Sequence, residues 1–335
     1  MVHPKKILII RFSSIGDIVL TTSFLSTIKT QFPESEVHFM TLDSFSSMLE
    51  NQPHIDRVLE VNSKSGYKDL SELNNFIKKS KYDKIFDLHS SIRSLIITMG
   101  LRDNVSRIKK PRLLRFFLFQ FHINMFPRNF SAIHMYHQCL DLKDSSSFPS
   151  TALVVSKLEK EISKKMLKEY GVNNQFVALV PGAAWERKQW SVENYCEVIN
   201  KIVSSSNISV VMLGSDKDEI NHYIAKLNHN VINLSGKTNL REAMSVLSLS
   251  KVVVGSDTGL LHIAEALGIT VNMILGPTSK ETGGGANLKS SKNIEVDIWC
   301  RPCSQNGQKY CYRSKQYCME GISPNRVASI VMKSL

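Results

Sequence analysis

Short apolar runs rich in β-branched residues alternate along this chain with longer segments whose apolar residues recur at helical spacing. The alternation predicts strands joined by crossover helices, as in α/β proteins with parallel sheets. The strands predicted in the first half cover residues 7–10, 36–41 and 84–88, and those in the second half cover residues 175–180, 209–213 and 252–254.

The chain is long enough for two such domains. Its 335 residues suffice for two α/β cores. Ser, Asp and Pro cluster in residues 142–151, which predicts a linker and a division into domains 1–150 and 151–335. A charged helix over residues 156–170, ending at Gly171, is expected to open the second domain.

Residues 251–268, KVVVGSDTGLLHIAEALG, predict an anion site. The apolar run stops at Gly255 and Ser256, and a helix pattern follows. A strand that ends in a Gly-flanked turn and opens a helix presents free N–H groups and a positive helix terminus, which suit phosphate. The alternative is that Ser256 or Asp257 simply caps the helix, but capping does not explain Thr258 or His262.

A second strand-to-helix junction occupies residues 7–29. The segment from Arg11 to Gly16 turns the chain, and Asp17 falls in the first helical turn, where the helix dipole favours a carboxylate. A helix cap without chemical role is the alternative. The turn is not G-x-G-x-x-G, so the usual dinucleotide fingerprint is absent from the sequence.

Two further strand ends carry charged residues. Arg187 and Lys188 follow the strand 175–180 and precede a helix that begins near Ser191, a position where a cation suits a diphosphate. A solvated lysine in a loop is the alternative. Asp216 follows the strand 209–213 and by itself indicates only a turn or a cap.

Three segments carry a resemblance to a known family: RFSSIGDIVLTTSFL, LVPGAAWERKQWSVENY and GSDTGLLHIAEALG followed by GPT. In this order and spacing, over residues 7–327, the chain resembles the heptosyltransferases of glycosyltransferase family nine, which build the inner core of lipopolysaccharide. The resemblance implies a GT-B fold, in which two Rossmann-like domains face each other across a cleft. The first domain would bind the acceptor and the second the nucleotide sugar. In GT-B enzymes the last helix often crosses back to the first domain, and residues 324–335 are the candidate for such a helix.

The resemblance also implies an activity. The expected reaction is inverting, metal-independent transfer of heptose from ADP-heptose to a glycolipid acceptor, the core and lipid A part of lipopolysaccharide, without a cofactor. Asp17 would be the base, Lys188, with Arg187 as a close competitor, would hold the diphosphate, and Asp216 would bind the ribose. The remaining donor contacts would be Asp257, Thr258, Gly259, Leu260 and His262.

The acceptor side is less specific. Its candidates are Arg11, Ser13, Ser14, His89 and Arg93. His89 and Arg93 follow a strand end, the edge at which open α/β sheets bind ligands, although a histidine at a strand end is more often structural.

Two alternatives to this function remain. One is a family-nine enzyme that uses another nucleotide sugar, and the other is a non-catalytic protein that binds a nucleotide sugar.

The formal charge of +12 indicates a polyanionic partner. Between Arg102 and Arg115 six basic residues face one acidic residue, and FFLFQF follows. This pattern suits an anionic membrane surface or a phosphorylated glycolipid, and an ordinary amphipathic helix is the alternative. Nucleic acid is not expected, because no nucleic-acid-binding signature accompanies the charge. Without a signal peptide or an apolar run long enough to span, the expected location is cytoplasmic, with peripheral contact at the inner face of the inner membrane left open.

Four of the six cysteines fall late in the chain: Cys300, Cys303, Cys311 and Cys318. The first pair has C-x-x-C spacing, but the second does not, so a zinc site is only one alternative. Reduced structural thiols are the first expectation, a structural metal the second, and a redox or catalytic role the last.

Overall fold

The computed structural model describes residues 4–127, 130–140, 147–282 and 284–335. They divide into two units: Met1–Lys110 with Phe130–Val154, and Pro111–Asn129 with Val155–Leu335. The chain therefore enters the second unit close to the division predicted at residue 150, but residues 111–129, which the prediction assigned to the first domain, belong to the second unit. Of the predicted linker, residues 142–146 lie outside the described part, and residues 147–151 form no helix or strand.

Each unit contains one parallel sheet. Their strands are β1 Lys6–Ile10, β2 Glu36–Leu42, β3 Arg57–Val61, β4 Lys84–Asp87, β5 Val105–Arg107, β6 Phe176–Val180, β7 Ser209–Met212, β8 Val231–Asn233, β9 Val252–Ser256, β10 Val271–Ile274 and β11 Lys292–Ile294. The first sheet has the order β3-β2-β1-β4-β5, and the second has the order β11-β10-β9-β6-β7-β8. The predicted α/β class is confirmed, and β1, β2, β4, β6, β7 and β9 are the six strands that the sequence predicts.

The helices cover the sheets. They are α1 Ile15–Gln31, α2 Asp43–Ser46, α3 Tyr67–Ser80, α4 Ile92–Ile97, α5 Arg112–Phe121, α6 Ala132–His137, α7 Lys157–Glu169, α8 Val192–Ser205, α9 Glu219–Leu227, α10 Leu240–Leu247, α11 Gly259–Ala266, α12 Tyr317–Glu320 and α13 Pro324–Lys333. The helix predicted over 156–170 is α7, and Ser156 caps its N-terminus. The helix ends before Gly171, which has a φ of 84°.

The central strands are buried on both faces, which is why their sequences are continuous apolar runs. Every residue of β6 and β9 is buried. Helix α7 is fixed to α10 by an ion pair, in which Arg241 Nε lies 2.5 Å from Glu159 Oε1 and Arg241 Nη2 donates to Glu159 Oε2 at 3.0 Å. This pair holds the pKa of Glu159 at about 2.

The last helix, α13, lies in the second unit, and its crossing back to the first stays a prediction. Val327, Ala328 and Val331 are buried in the same apolar cluster as residues of α8, and α13 contacts α8 and β10. The apolar stripe of α13 is therefore used within its own unit. Among the described residues, no helix is both long and apolar enough to cross a membrane.

Candidate active site

Two loops of the second unit are joined at the carboxyl edge of its sheet, where β6 and β9 end side by side. Ser256 Oγ donates to the carbonyl oxygen of Pro181 at 2.9 Å, and the buried Tyr195 hydroxyl lies 2.9 Å from the same Oγ. Gly255 permits this close approach, because a Cβ at this position would lie 2.1 Å from the carbonyl oxygen of Val180. The buried Ser256 is therefore a structural link between the loops.

The charged residues of these loops meet as an ion pair between the partly exposed Lys188 and the buried Asp257. Lys188 Nζ lies 2.8 Å from Asp257 Oδ2, and Thr278 Oγ1 donates to the same oxygen at 2.8 Å. His262 Nε2 lies 3.8 Å from Asp257 Oδ1. Burial alone would raise the pKa of Asp257, but the Lys188 ammonium and His262 outweigh burial and hold that pKa well below its usual range. The carboxylate is therefore charged and fixed.

The N-terminus of α11 lies directly after this pair. Thr258, Gly259 and Leu260 are partly exposed, and the Thr258 side chain makes no capping hydrogen bond. His262, one turn on, is 6% exposed, and its Nδ1 has no hydrogen-bond partner among the described residues. A buried imidazole nitrogen without a partner is costly. Together with the free N–H groups of a helix N-terminus, it indicates a polar ligand at this place.

Arg187 points elsewhere. It and Lys188 lie in the 3₁₀ helix Glu186–Lys188. The Arg187 guanidinium stacks over the ring of Tyr310 at 5.0 Å, and the Arg187 carbonyl oxygen accepts a hydrogen bond from Gln316 Nε2 at 2.6 Å. The structure thus places Lys188, and not its neighbour, beside Asp257.

Asp216 lies at the same edge of the sheet, in the loop after β7, which neighbours β6. Its side chain is exposed, and Oδ1 accepts a hydrogen bond from Ser215 Oγ at 3.0 Å. A Cβ on Gly236 would lie 2.8 Å from the Cβ of Asp216, so this glycine allows the two loops to approach. The carboxylate keeps acceptor capacity for hydroxyl groups.

In the first unit, Asp17 lies at the N-terminus of α1, and more than a helix cap holds it. Ser14 N and Oγ donate to Asp17 Oδ2 at 3.2 and 2.9 Å, so the Asp17 carboxylate caps the start of α1. In addition, Arg11 Nη2 lies 2.7 Å from Oδ2, and the Tyr136 hydroxyl donates to Oδ1 at 2.8 Å. Burial raises the pKa of Asp17, but Arg11, Tyr136 and Ser14 lower it more, to about 2. The side chain is still 37% exposed, so an ionised carboxylate reaches the surface.

The other acceptor candidates of the first unit have different environments. Arg11 is buried and also donates to the carbonyl oxygen of Leu88 at 2.7 Å, so it positions Asp17. His89 packs on Phe12 at 4.9 Å, and burial, helped by the charge of Arg11, lowers its pKa to about 4, which keeps it neutral at pH 7. Arg93 donates to the carbonyl oxygen of Ser63 at 3.0 Å. Ser13 is partly exposed and Ser14 exposed. Binding of an acceptor by these residues stays a prediction.

The six cysteines are free thiols. Cys300, Cys303, Cys311 and Cys318 line one small cavity, and burial raises the pKa of Cys318 to about 11, so this group is a protonated thiol at pH 7. Among the described residues, no group of three or more His, Cys, Asp and Glu side chains is arranged to hold a metal ion. The zinc alternative therefore gains no support from the geometry.

Two site residues were missed by sequence reasoning. Tyr136 reaches Asp17 from 119 positions along the chain, and no local pattern marks it. Thr278, in contrast, stands in the GPT segment that contributes to the family resemblance, and its strand-end position was an available signal.

Comparison with known proteins gives a consistent result. The lipopolysaccharide heptosyltransferase 2 of Salmonella typhimurium is 24% identical over 298 residues, which cover 82% of this chain and 84% of the relative. The solved structure of E. coli ADP-heptose lps heptosyltransferase II covers 98% of both chains with a TM-score of 0.72 at 20% identity. A glycosyl transferase family 9 structure from Veillonella parvula gives a TM-score of 0.76 at 17% identity, covering 98% of this chain and 97% of that one.

These structural likenesses establish the fold as GT-B, the class that the motifs predict. The family model for glycosyltransferase family 9 (heptosyltransferase) matches residues 71–312, more than half of the chain, and this range includes Lys188, Asp257 and His262. The chain is thus a glycosyltransferase and belongs to glycosyltransferase family 9, the heptosyltransferase family.

Proposed function

We propose that this protein transfers heptose from ADP-heptose to the inner core of lipopolysaccharide, with inversion at the anomeric carbon. The observation that carries the proposal is the Lys188–Asp257 ion pair beside the N-terminus of α11, next to His262 Nδ1, which has no hydrogen-bond partner among the described residues. The names of the relatives include ADP-heptose and lipopolysaccharide. The side chains described above are chemically suited to bind this donor and this acceptor.

The donor diphosphate binds to the positively charged groups of the second unit. An ammonium has three N–H donors, and Asp257 occupies one of those of Lys188, so two remain for phosphate oxygens. The N–H groups at Thr258 to Leu260 add the positive end of the α11 dipole. Asp257 and His262 contact hydroxyl groups of the heptose, and Asp216 accepts from the ribose hydroxyls.

The first unit supplies the base. An acceptor hydroxyl oxygen attacks the anomeric carbon from the face opposite ADP, the bond from that carbon to the phosphate oxygen breaks, and ADP leaves with the electron pair. The hydroxyl proton passes to the Asp17 carboxylate, which Arg11 and Tyr136 hold in one orientation. Since negative charge grows on the diphosphate, Lys188 and the α11 terminus stabilise the transition state more than the bound donor. For the same reason, we propose that transfer needs no divalent cation.

A donor screen tests this function. Release of nucleoside diphosphate is measured for a panel of nucleotide sugars, with and without lipopolysaccharide-core acceptors. Acceptor-dependent ADP release from ADP-heptose is the expected result. Acceptor-dependent turnover of a different nucleotide sugar would identify a family member with another donor. Binding of ADP-heptose without turnover on any core acceptor would indicate a binding protein.

A further inference from the structure

Helix α5 presents apolar side chains on two opposite faces. Leu118 and Phe119 are buried in the second unit. On the other face Leu113, Phe116 and Phe121 are 67%, 52% and 57% exposed, and the rings of Phe116 and Phe121 contact each other at 5.8 Å. A helix that only covers a core exposes polar residues on its outer face, so this outer face needs another explanation.

The exposed apolar surface continues across a second segment of the same unit. His122 Nδ1 lies 3.1 Å from the carbonyl oxygen of Pro302, and its ring meets Trp299 at 6.1 Å. The ring of Trp299 lies 6.3 Å from that of Tyr312, and both side chains are more than half exposed. Lys309 Nζ donates to Gln120 Oε1 of α5 at 3.4 Å. Residues 112–127 and 298–319 therefore form one surface, here called the aromatic–basic surface.

The charged residues within the two segments are all basic, and two exposed acidic residues, Asp297 and Glu320, directly flank the second segment. Neither segment contains an Asp or a Glu, and together they contain six basic residues: Arg112, Arg115, Arg301, Lys309, Arg313 and Lys315. Arg301 pairs with Glu295 outside the two segments. The Arg313 guanidinium lies 5.6 Å from the ring centroid of Trp299 and 4.3 Å from that of Tyr317. Exposed cations and exposed Trp and Tyr rings thus share the surface.

We propose that the aromatic–basic surface docks on an anionic phospholipid bilayer. Trp and Tyr favour the membrane–water interface, Leu and Phe insert into the acyl boundary, and Lys and Arg bind anionic headgroups. A second copy of the chain is a poor partner, because it would bring like charges together. Single-stranded nucleic acid would stack on the aromatic rings, but its binding would not explain the exposed aliphatic side chains of Leu113, Ile123 and Met125.

The inference is independent of the proposed reaction, because its test measures binding alone. The protein is sedimented with vesicles of phosphatidylglycerol and phosphatidylcholine in equal parts, and with vesicles of phosphatidylcholine only. We expect binding to the anionic vesicles that weakens as salt is raised. Equal binding to both vesicles, or none to either, would overturn the proposal.

Variants locate the surface. Phe116→Ser/Phe121→Ser should abolish vesicle binding, whereas Leu158→Ser/Ile162→Ser, which changes two exposed apolar side chains of α7, should not. Lys309→Gln/Lys315→Gln should weaken binding about 25-fold, at about fivefold per cation near an anionic surface. This pair removes only exposed charges, so it keeps the test valid if the aromatic variant fails to fold. Unchanged binding by both surface variants, an equal loss in the α7 control, or competition by a single-stranded oligonucleotide would overturn the proposal.

Discussion

Replacing Lys188 by Met removes the ammonium and leaves the Asp257 carboxylate buried without its main partner. Breaking a buried ion pair costs about 3–5 kcal/mol of unfolding free energy. The lower end applies here, because the Thr278 hydroxyl still donates to Asp257 and His262 remains near it. About 3 kcal/mol corresponds to a decrease of about 6–12 °C in the melting temperature of a unit of this size.

The loss of stability in Lys188→Met depends on pH, and the direction of this dependence follows from the pKa of Asp257. In the wild type its pKa lies below the unfolded value, so the ion pair stabilises the fold above about pH 4 and loses this effect as the pH falls further. In Lys188→Met we expect the pKa of Asp257 to rise above the unfolded value, because burial raises it and the main charge that lowers it is gone. The difference between variant and wild type should therefore widen as the pH rises from 4 to 7.

Two matched variants isolate the effect. Arg187→Met removes the neighbouring cation, whose guanidinium stacks on the exposed Tyr310. It should cost about 0.5–1 kcal/mol. Lys188→Met/Asp257→Asn removes both charges and should regain most of the lost stability, because the amide oxygen still accepts from Thr278.

Calorimetric melting and titration with ADP provide the measurements. ADP affinity should fall in both Lys188 variants, including the stabilised double variant, and stay near the wild-type value in Arg187→Met. Across affinity and single-turnover transfer the Lys188 loss should total about 2–4 kcal/mol. If Arg187→Met were as damaging as Lys188→Met in both assays, or if the double variant were no more stable than the single one, the role given to this pair would be refuted.

Three further predictions concern stability and metal. Glu159→Gln should lower the urea midpoint at pH 6 but much less at pH 3, because the pKa of Glu159 is about 2 in the folded protein and about 4 in the unfolded chain, so the stabilisation by its ion pair with Arg241 declines as the pH falls below about 4; an equal loss at both pH values would contradict this. Gly255→Ala should destabilise the second unit by about 3 kcal/mol or more in the same assay, since its Cβ would clash with the carbonyl oxygen of Val180, and a wild-type midpoint would show that β6 and β9 are less closely packed. Transfer should survive excess EDTA, whereas loss of turnover that magnesium or manganese restores would show that a cation is required.

The sheets were predictable because parallel strands buried on both faces must be apolar throughout. Strands β1, β6 and β9 were found in this way, whereas β5 and β8 have three residues each, too few for a pattern to stand out. The position of α5 was not predictable. An amphipathic helix is one interpretation of its sequence, but nothing in residues 111–129 indicates that they pack with the later half of the chain.

Prediction of the candidate site from the sequence has the same limit. Lys188, Asp257 and His262 lie next to strand ends, and strand ends of a parallel sheet meet at one edge, so the sequence order predicts their proximity. The choice between Arg187 and Lys188 depends on how a single 3₁₀ turn directs two adjacent side chains, and it needed coordinates. The Tyr136 contact with Asp17 depends on tertiary packing alone.

The measurement that tests the central claim most directly is single-turnover transfer by Asp17→Asn, with the affinity for ADP-heptose determined on the same preparation. The amide keeps the size of the side chain and can still accept from Tyr136, but it cannot take a proton from the acceptor. Transfer should fall by about 10²–10⁴-fold, while the dissociation constant of the donor stays near the wild-type value. Transfer at a near wild-type rate would show that Asp17 only caps α1, and this would contradict the assignment of the base.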